Sequence, residues 1–293
     1  MKAPLYLVDG YSLIYRSYFA FMKKHLINPA GQNSSAVFGF FRTIISLLDS
    51  FNPAYLAVVM DSRVPTFRHE IYPPYKANRE KAPQDLHDQV PRIESILDAM
   101  GIRWVVRDGY EADDIMATLA RLSSGEGRSC FIVSGDKDLL QLVDERVRIV
   151  KSDKGTYFEA DRNAVFAEFG VFPEQIVDYL SLTGDQSDNV PGARGIGPKT
   201  ASGLLQKYKT LEGIYEHLDE IPEGPRKKLI ADRENVFLSR KLIVLKDDVP
   251  LDFSVESLTT GDVSPAAAVP LFLKEGMKSL ADQLRGEKDS LFA

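Results

Sequence analysis

Three of the four short apolar runs in the first 140 residues lead into an aspartate, and that repetition narrows the folds open to the chain. The runs are LYLV (5–8), YLAVVM (55–60), WVV (104–106) and CFIV (130–133). Asp9 ends the first, Asp61 ends the second, and Asp136 follows the fourth with Asp138 two residues on. Helical patterns lie between them at 36–48, about 84–100 and 112–122. Strands alternating with helices at this spacing predict βαβ units and a mostly parallel sheet. Residues 146–150 and 156–159 read as further strands. In such a sheet ligands collect outside the carboxyl ends of the strands, where these aspartates stand.

The run GYEADD (109–114) adds Glu111, Asp113 and Asp114 at the first turn of a helix, with Glu111 and Asp114 spaced to share a face. An acid in a first helical turn complements the helix dipole, and an Asp after a strand is commonly a turn former or N-cap. Taken singly, each residue fits that structural role. Taken together they crowd negative charge onto one rim, which is costly unless cations compensate. Oxygen ligands with no accompanying Cys or His point to Mg²⁺ or Mn²⁺ rather than zinc. Asp185 and Asp188 in TGDQSDNVPG are candidates to extend the acidic set; their spacing resembles part of a calcium loop, but the absence of the full ligand pattern weighs against one.

From about residue 160 the pattern turns mainly helical. GDQSDNVPGARGIGPKT (184–200) is too rich in turn formers to be regular and leads into a helix at about 198–208. A further helical segment is expected at 265–284. The whole reads as an α/β domain over 1–160 and a helical subdomain over 161–293.

The chain carries 36 Lys+Arg against 42 Asp+Glu, a net charge of −6, yet its cations are concentrated. RVPTFRHEIYPPYKANREK (63–81) has five Lys/Arg and two Glu, and its prolines break helical periodicity, which predicts a mobile, aromatic-bearing loop or arch. Aromatics interleaved with cations suit single-stranded nucleic acid, although a solvated surface loop has the same composition. GARGIGPKTASGLLQKYK (192–209) has four basic residues and no acid. Its glycines allow close backbone approach beside a helix N-terminus, a favourable phosphate site. It is not a Walker A loop, because Pro198 separates Gly197 from Lys199. The single cysteine, Cys130, excludes a disulfide framework and suits a reducing compartment. No apolar stretch reaches 18 residues and the N-terminus lacks a signal-peptide run, so a cytoplasmic protein without a membrane partner is expected.

LVDGYSLIYRSYFA (7–20), VMDSRVPTFRHEIYPPYKANR (59–79), GYEADD (109–114), SGDKDLLQL (134–142) and TGDQSDNVPGARGIGPKTA (183–201), in this order, resemble the bacterial and phage 5′ nuclease family of 5′→3′ exonucleases and flap endonucleases. Within it, the chain is most similar to the nuclease domains linked to bacterial DNA polymerases. The resemblance covers nearly the whole chain and is loosest over the tail.

It implies a PIN-like 5′ nuclease fold: a mostly parallel central sheet flanked by helices, a helical arch at about 63–95, and a helix–two-turn–helix at about 183–209. The implied activity is structure-specific DNA phosphodiester hydrolysis in replication and repair, such as primer removal, by a nucleoid-associated monomer acting on 5′ flaps, nicks and duplex ends. The implied metal ligands are Asp9, Asp61, Glu111, Asp113, Asp114, Asp136, Asp138, Asp185 and Asp188, holding two Mg²⁺ ions for which Mn²⁺ substitutes. Lys76 and Arg79 are implied to contact the scissile phosphate, and Tyr75 to stack near the terminal base. Arg16 is a further implied phosphate contact. Gly195, Gly197, Lys199 and Thr200 are implied to grip duplex, with a K⁺ held by backbone carbonyls. A DNA polymerase is the candidate protein partner. A non-catalytic DNA-junction binder and a PIN-type ribonuclease are the alternatives; the nine acids weigh against the first, and the arch and GIGPKTA segments against the second. The four histidines, 25, 69, 87 and 217, form no triad and are read as incidental.

Overall fold

The computed structural model describes residues 2–79, 81–153 and 156–286. Six strands form one sheet: β1 (Leu5–Asp9), β2 (Tyr55–Val59), β3 (Trp104–Val105), β4 (Cys130–Val133), β5 (Val147–Asp153) and β6 (Thr156–Ala160). Their order is β3-β2-β1-β4-β5-β6, parallel throughout except for the antiparallel β5–β6 pair. Every residue of β1 is buried, as expected of a central parallel strand covered on both faces. Strand order reverses between β1 and β4, so the crevice for a ligand opens beyond Asp9 and the loop after Val133.

The helices are α1 (Gly10–Ala20), α2 (Ser35–Phe51), α3 (Phe67–Ile71), α4 (Gln84–His87), α5 (Val90–Met100), α6 (Ala112–Gly125), α7 (Arg162–Phe169), α8 (Ile176–Thr183), α9 (Pro198–Tyr208), α10 (Leu211–Glu216), α11 (Glu223–Ala231), α12 (Arg233–Ile243), α13 (Val269–Lys274) and α14 (Lys278–Arg285). Successive side chains of β1 point to opposite faces and so sort the core in two. Leu5 and Leu7 join Ile115, Leu119, Tyr179, Leu205, Leu229 and Leu242, from α6 and the helices after 170. Tyr6 and Val8 join Ile14, Phe40, Phe41, Ile44, Ile93, Phe272 and Leu280.

Residue 160 therefore marks a change of element type, and both hydrophobic clusters contain residues from either side of it. The tail differs from its expected grouping with the helical subdomain. α13 and α14 pack across the sheet on α2, where Phe272 meets Phe41 edge-on with ring centroids 5.3 Å apart. Glu275 seals this contact, accepting from Arg92 (2.6 Å), Ser34 (2.7 Å) and Asn28 (3.2 Å). The expected helix at 265–284 is broken at Gly276, whose φ of +75° ends one helix and starts the turn to the next. The expected helix at 84–100 is likewise two pieces, α4 and α5, with Pro91 in the first turn of the second. Residues 80 and 287–293 of the expected arch and tail lie outside the described residues.

The segment expected to form a loop or arch lies against the acids. It consists of α3, a turn over 73–78 and α4, and it is hydrogen-bonded to the loop carrying Asp185 and Asp188. The Lys76 amide donates to the Asp188 carbonyl (2.9 Å), Asn189 to the Pro74 carbonyl (2.7 Å), and Asn78 to the Gln186 carbonyl (2.6 Å). Lys76 takes a left-handed backbone (φ 57°) to make this turn.

Candidate functional site

Asp9 reaches the carboxyl edge because it is both the last residue of β1 and the N-cap of α1, accepting from the Ser12 amide at 3.1 Å. The next residue has to be glycine for α1 to lie against β2. A Cβ on Gly10 would stand 2.4 Å from Met60 Sδ and 2.8 Å from the Val59 carbonyl. Ser134, at the end of β4, donates to the other Asp9 oxygen (2.7 Å) and accepts from the Asp136 amide (3.0 Å). Asp136 in turn accepts from the Asp138 amide (2.9 Å). Asp61 accepts from the Ala112 amide (2.9 Å), which ties the end of β2 to the start of α6. Backbone amides thus aim three strand-end carboxylates at one rim.

Burial dominates the acidity of this rim. It raises Asp9 to about 6, with Asp61 and Asp136 adding repulsion against the opposing hydrogen bonds of Ser134 and Ser12. Burial raises Asp138 to about 8, reinforced by Asp136, Asp185 and Asp188. Asp61 and Asp136 are raised chiefly by burial. Asp113 is raised well above the usual carboxylate range by burial and then by Asp136, Asp9, Asp61 and Asp138. Like charges held together and away from water favour the protonated form, or a cation.

The donor set fits a divalent ion. One oxygen from each of Asp138, Asp185 and Asp188 lies within 4.8 Å of the others, and all are carboxylates, the hard ligands of Mg²⁺ and Mn²⁺. Asp138 Oδ1 is buried and has no hydrogen-bond partner among the described residues. A buried carboxylate oxygen left unpaired is costly, and a cation would satisfy it.

The arch side of the site is compensated by the protein itself. Lys76 pairs with Glu111 (2.7 Å) and approaches Asp188 (3.7 Å), and Arg79 pairs with Asp188. Lys137 pairs with Asp185 (3.1 Å). Although burial opposes it, Asp185 is held below its ordinary value by Ser187 and Lys137. The 184–192 loop that presents these acids is closed at its neck, where Asp185 bridges to Val190. Gly184 and Gly192 meet there so closely that a Cβ on Gly192 would stand 2.4 Å from the Gly184 nitrogen.

Two of the expected site residues are placed differently. Tyr75 offers no ring face to a base: it is 4% exposed, Lys76 covers its ring at 5.0 Å, and His69 packs edge-on at 5.5 Å. Its hydroxyl lies 3.1 Å from both Glu111 and Asp188, and burial between these acids raises the phenol far above its ordinary value. Asp114 is fully buried and turned from the rim. It accepts from both Arg68 Nη atoms (2.7 and 2.8 Å) and from the amides of Glu111 (3.1 Å) and Lys246 (2.9 Å).

The remaining residues divide between the site and its surroundings. Asp9, Asp61, Glu111, Asp113, Asp136, Asp188, Lys76 and Arg79 line one cleft of about 1090 Å³. Arg16 lies outside it, exposed, and donates to the Ser152 carbonyl (3.3 Å). Gly195, Gly197, Lys199 and Thr200 flank the start of α9, away from the acids; Gly195 (φ +77°) and Lys199 are exposed. Lys228 donates to the Gly195 carbonyl at 2.9 Å.

Four features were not assigned from sequence: Arg68, Ser134, Lys137, and an aromatic row on α1. Tyr11, Tyr15 and Phe19 line the cleft with ring centroids 6.4 and 6.1 Å apart. Their i, i+4, i+8 spacing was a readable signal for one helix face. Among the described residues, no helix is long and apolar enough to cross a membrane.

Comparison with known proteins agrees with this architecture. Residues 4–170 match the family model described as 5′-3′ exonuclease, N-terminal resolvase-like domain, and residues 171–266 match 5′-3′ exonuclease, C-terminal SAM fold. The chain is 47% identical over 285 residues to DNA polymerase I of Treponema pallidum, covering 97% of this chain and 29% of that protein. It thus spans under a third of the length of that relative. A 5′-3′ exonuclease of Aquifex aeolicus is 43% identical over 255 residues, covering 87% of this chain and 86% of the relative. In fold it resembles the bacteriophage T5 flap endonuclease solved as a pseudo-enzyme–product complex with DNA and metal ions (TM-score 0.66, 20% identity, 97% and 98% of the two chains). With both halves matched in order and a relative of similar length covered nearly end to end, the chain belongs to the 5′-3′ exonuclease family.

Proposed function

We propose that the chain hydrolyses DNA phosphodiesters with two divalent ions, Mg²⁺ in the cell and Mn²⁺ as a substitute, acting as a 5′→3′ exonuclease and 5′ flap endonuclease in replication and repair. The observation that carries this reading is the rim itself. Carboxylates from three strand ends and the start of α6, Asp9 buried and the others half-buried, stand together, raised in pKa, beside a cleft walled by arch cations. Asp9, Asp61, Glu111, Asp113, Asp136, Asp138, Asp185 and Asp188 would hold the ions. When bound there, divalent ions supply charge neutralisation at phosphate and a water acidic enough to attack near neutral pH.

The chain's own groups do the rest. Lys76 and Arg79, released from Glu111 and Asp188, offset charge developing on the phosphate. Tyr11, Tyr15 and Phe19 offer rings along the cleft on which the bases of a single strand can stack. Lys199, Thr200 and the backbone around Gly195 and Gly197 suit duplex phosphates at the start of α9. A K⁺ held by the carbonyls of this turn would complete that grip. No Ser, Cys or His nucleophile is required, in keeping with the buried, inert Cys130. We take DNA to be the substrate, in line with the T5 enzyme solved with DNA, and a DNA polymerase to be the protein partner, in line with the longer relatives named DNA polymerase I; the working unit is taken to be a monomer.

Cleavage of 5′-labelled flap, nicked duplex, linear duplex and single-stranded RNA, with and without Mg²⁺, tests this. Mg²⁺-dependent release of the flap or of 5′ nucleotides from DNA is expected. Preferred cleavage of RNA would favour a PIN-type ribonuclease, and tight flap binding without cleavage a junction-binding protein.

A further inference from the structure

Adjacent acids at the start of α6 have opposite surroundings. Asp113 faces the rim, with Asp136, Asp9, Asp61 and Asp138 near it. Asp114, about 100° further round the helix, points into the protein. A carboxylate offers about four lone-pair positions. All four of Asp114 are occupied, two by the Arg68 fork and two by the Glu111 and Lys246 amides. No position is left for an ion.

Arg68 is equally committed. It is 1% exposed, and beyond its bidentate contact with Asp114 its Nε donates to the Leu242 carbonyl (2.7 Å) and Nη2 to the Val244 carbonyl (3.3 Å). Nη1 also lies 3.3 Å from Glu111, the acid that holds Lys76. One guanidinium thus joins the arch base at α3, the first turn of α6 and the exit of α12. We infer that Arg68 and Asp114 form a positioning pair that fixes the arch and Glu111 relative to the helical subdomain, and that neither residue holds a divalent ion. This deepens the function proposed above, on which its expected effect on cleavage rests.

Three variants test the pair. Asp114→Asn keeps the shape but faces Arg68 with a neutral amide. Arg68→Lys keeps the charge but cannot make a planar fork. Asp113→Asn is the contrast. Counting bound Mn²⁺ by electron paramagnetic resonance, Asp114→Asn and Arg68→Lys are expected to match the parent and Asp113→Asn to bind fewer ions. Deuterium uptake over 66–79 and 242–246 should rise in the first two variants while β1 and β4 stay protected. With flap DNA and saturating Mg²⁺, kcat should fall about 10²-fold with little change in KM, as for a misplaced site. Loss of Mn²⁺ from Asp114→Asn to the extent seen in Asp113→Asn overturns the assignment. So does unchanged exchange over both segments, or a parent-like kcat. Should Asp114→Asn not fold, Arg68→Lys carries the same three measurements. If the parent cuts no DNA, the proposed function fails, while the ion count and exchange still judge the pair.

Discussion

The two halves of the acid cluster solve the same electrostatic problem in opposite ways. Asp9, Asp61, Asp113, Asp136 and Asp138 stand at strand ends and the start of α6, and burial raises them all, with repulsion from neighbouring carboxylates of both halves adding to it. Glu111, Asp185 and Asp188 are each paired with a lysine or arginine: Lys76, Lys137 and Arg79. The first half is held by the sheet and stores unfavourable charge. The second has its charge neutralised by the chain, through Lys76 and Arg79 of the arch and through Lys137 after β4. An ion entering the cluster therefore relieves repulsion on one side and competes with ammonium and guanidinium groups on the other.

The sharpest way to break this contrast is to empty one position of the strand-end half. Asp136→Asn should lower single-turnover cleavage on the order of 10³-fold. Flap binding, measured by gel shift without metal, should stay close to that of the parent. Retained cleavage with lost binding would take Asp136 out of the metal site. On the arch side, Lys76→Ala is expected to lower kcat by about 10²-fold while KM moves little, because its interaction is made to developing charge. An unchanged kcat would remove Lys76 from catalysis.

A stability measurement separates the halves without substrate. Asp138 keeps its proton in the folded chain up to about pH 8 but loses it near pH 4 when unfolded. The folded state binds the extra proton between those values, so this group's contribution is complete below about pH 4 and is lost as pH rises through about 8. Asp138→Asn escapes that loss. In metal-free buffer its Tm advantage over the parent should widen from pH 5 to pH 8.5, at roughly 2–4 °C per kcal/mol, and Mg²⁺ should close the gap from the parent's side. A constant Tm difference across that range would show that Asp138 carries no stored charge. The smallest effect is expected from Tyr75→Phe, which removes one hydroxyl from two acids that retain Lys76 and Arg79. Its loss in metal-free stability should be about 1 kcal/mol by urea unfolding. A loss several times larger would mean that the tyrosine, more than the cations, holds the arch.

Much of the sheet was legible because parallel strands are buried on both faces and so read as apolar runs. The aspartates at the ends of β1 and β2, and the start of α9 at Pro198, could be read for the same local reason. What stayed hidden depends on partners remote in sequence. Nothing local distinguishes Asp113 from Asp114; the difference is made by Arg68, 46 residues earlier, and by the backbone at Lys246. Residues 63–81 have the composition of a free loop, and only the carbonyls of 186–188 reveal where their turn docks. The tail is weakly patterned because α13 and α14 are short, and its side of the sheet is chosen by Phe41 and Arg92.

The shut neck of the 184–192 loop bears on which ions the site accepts. With the Gly184 and Gly192 backbones in contact, no side chain can be inserted between them, and Asp185 and Asp188 are delivered from one closed loop. Widening that neck to take a larger ion would disturb the Asp185–Val190 bridge, so the adjustment would fall to Asp138 on the facing rim. Discrimination by ionic radius would then reside in two positions that have no side chain and touch no metal.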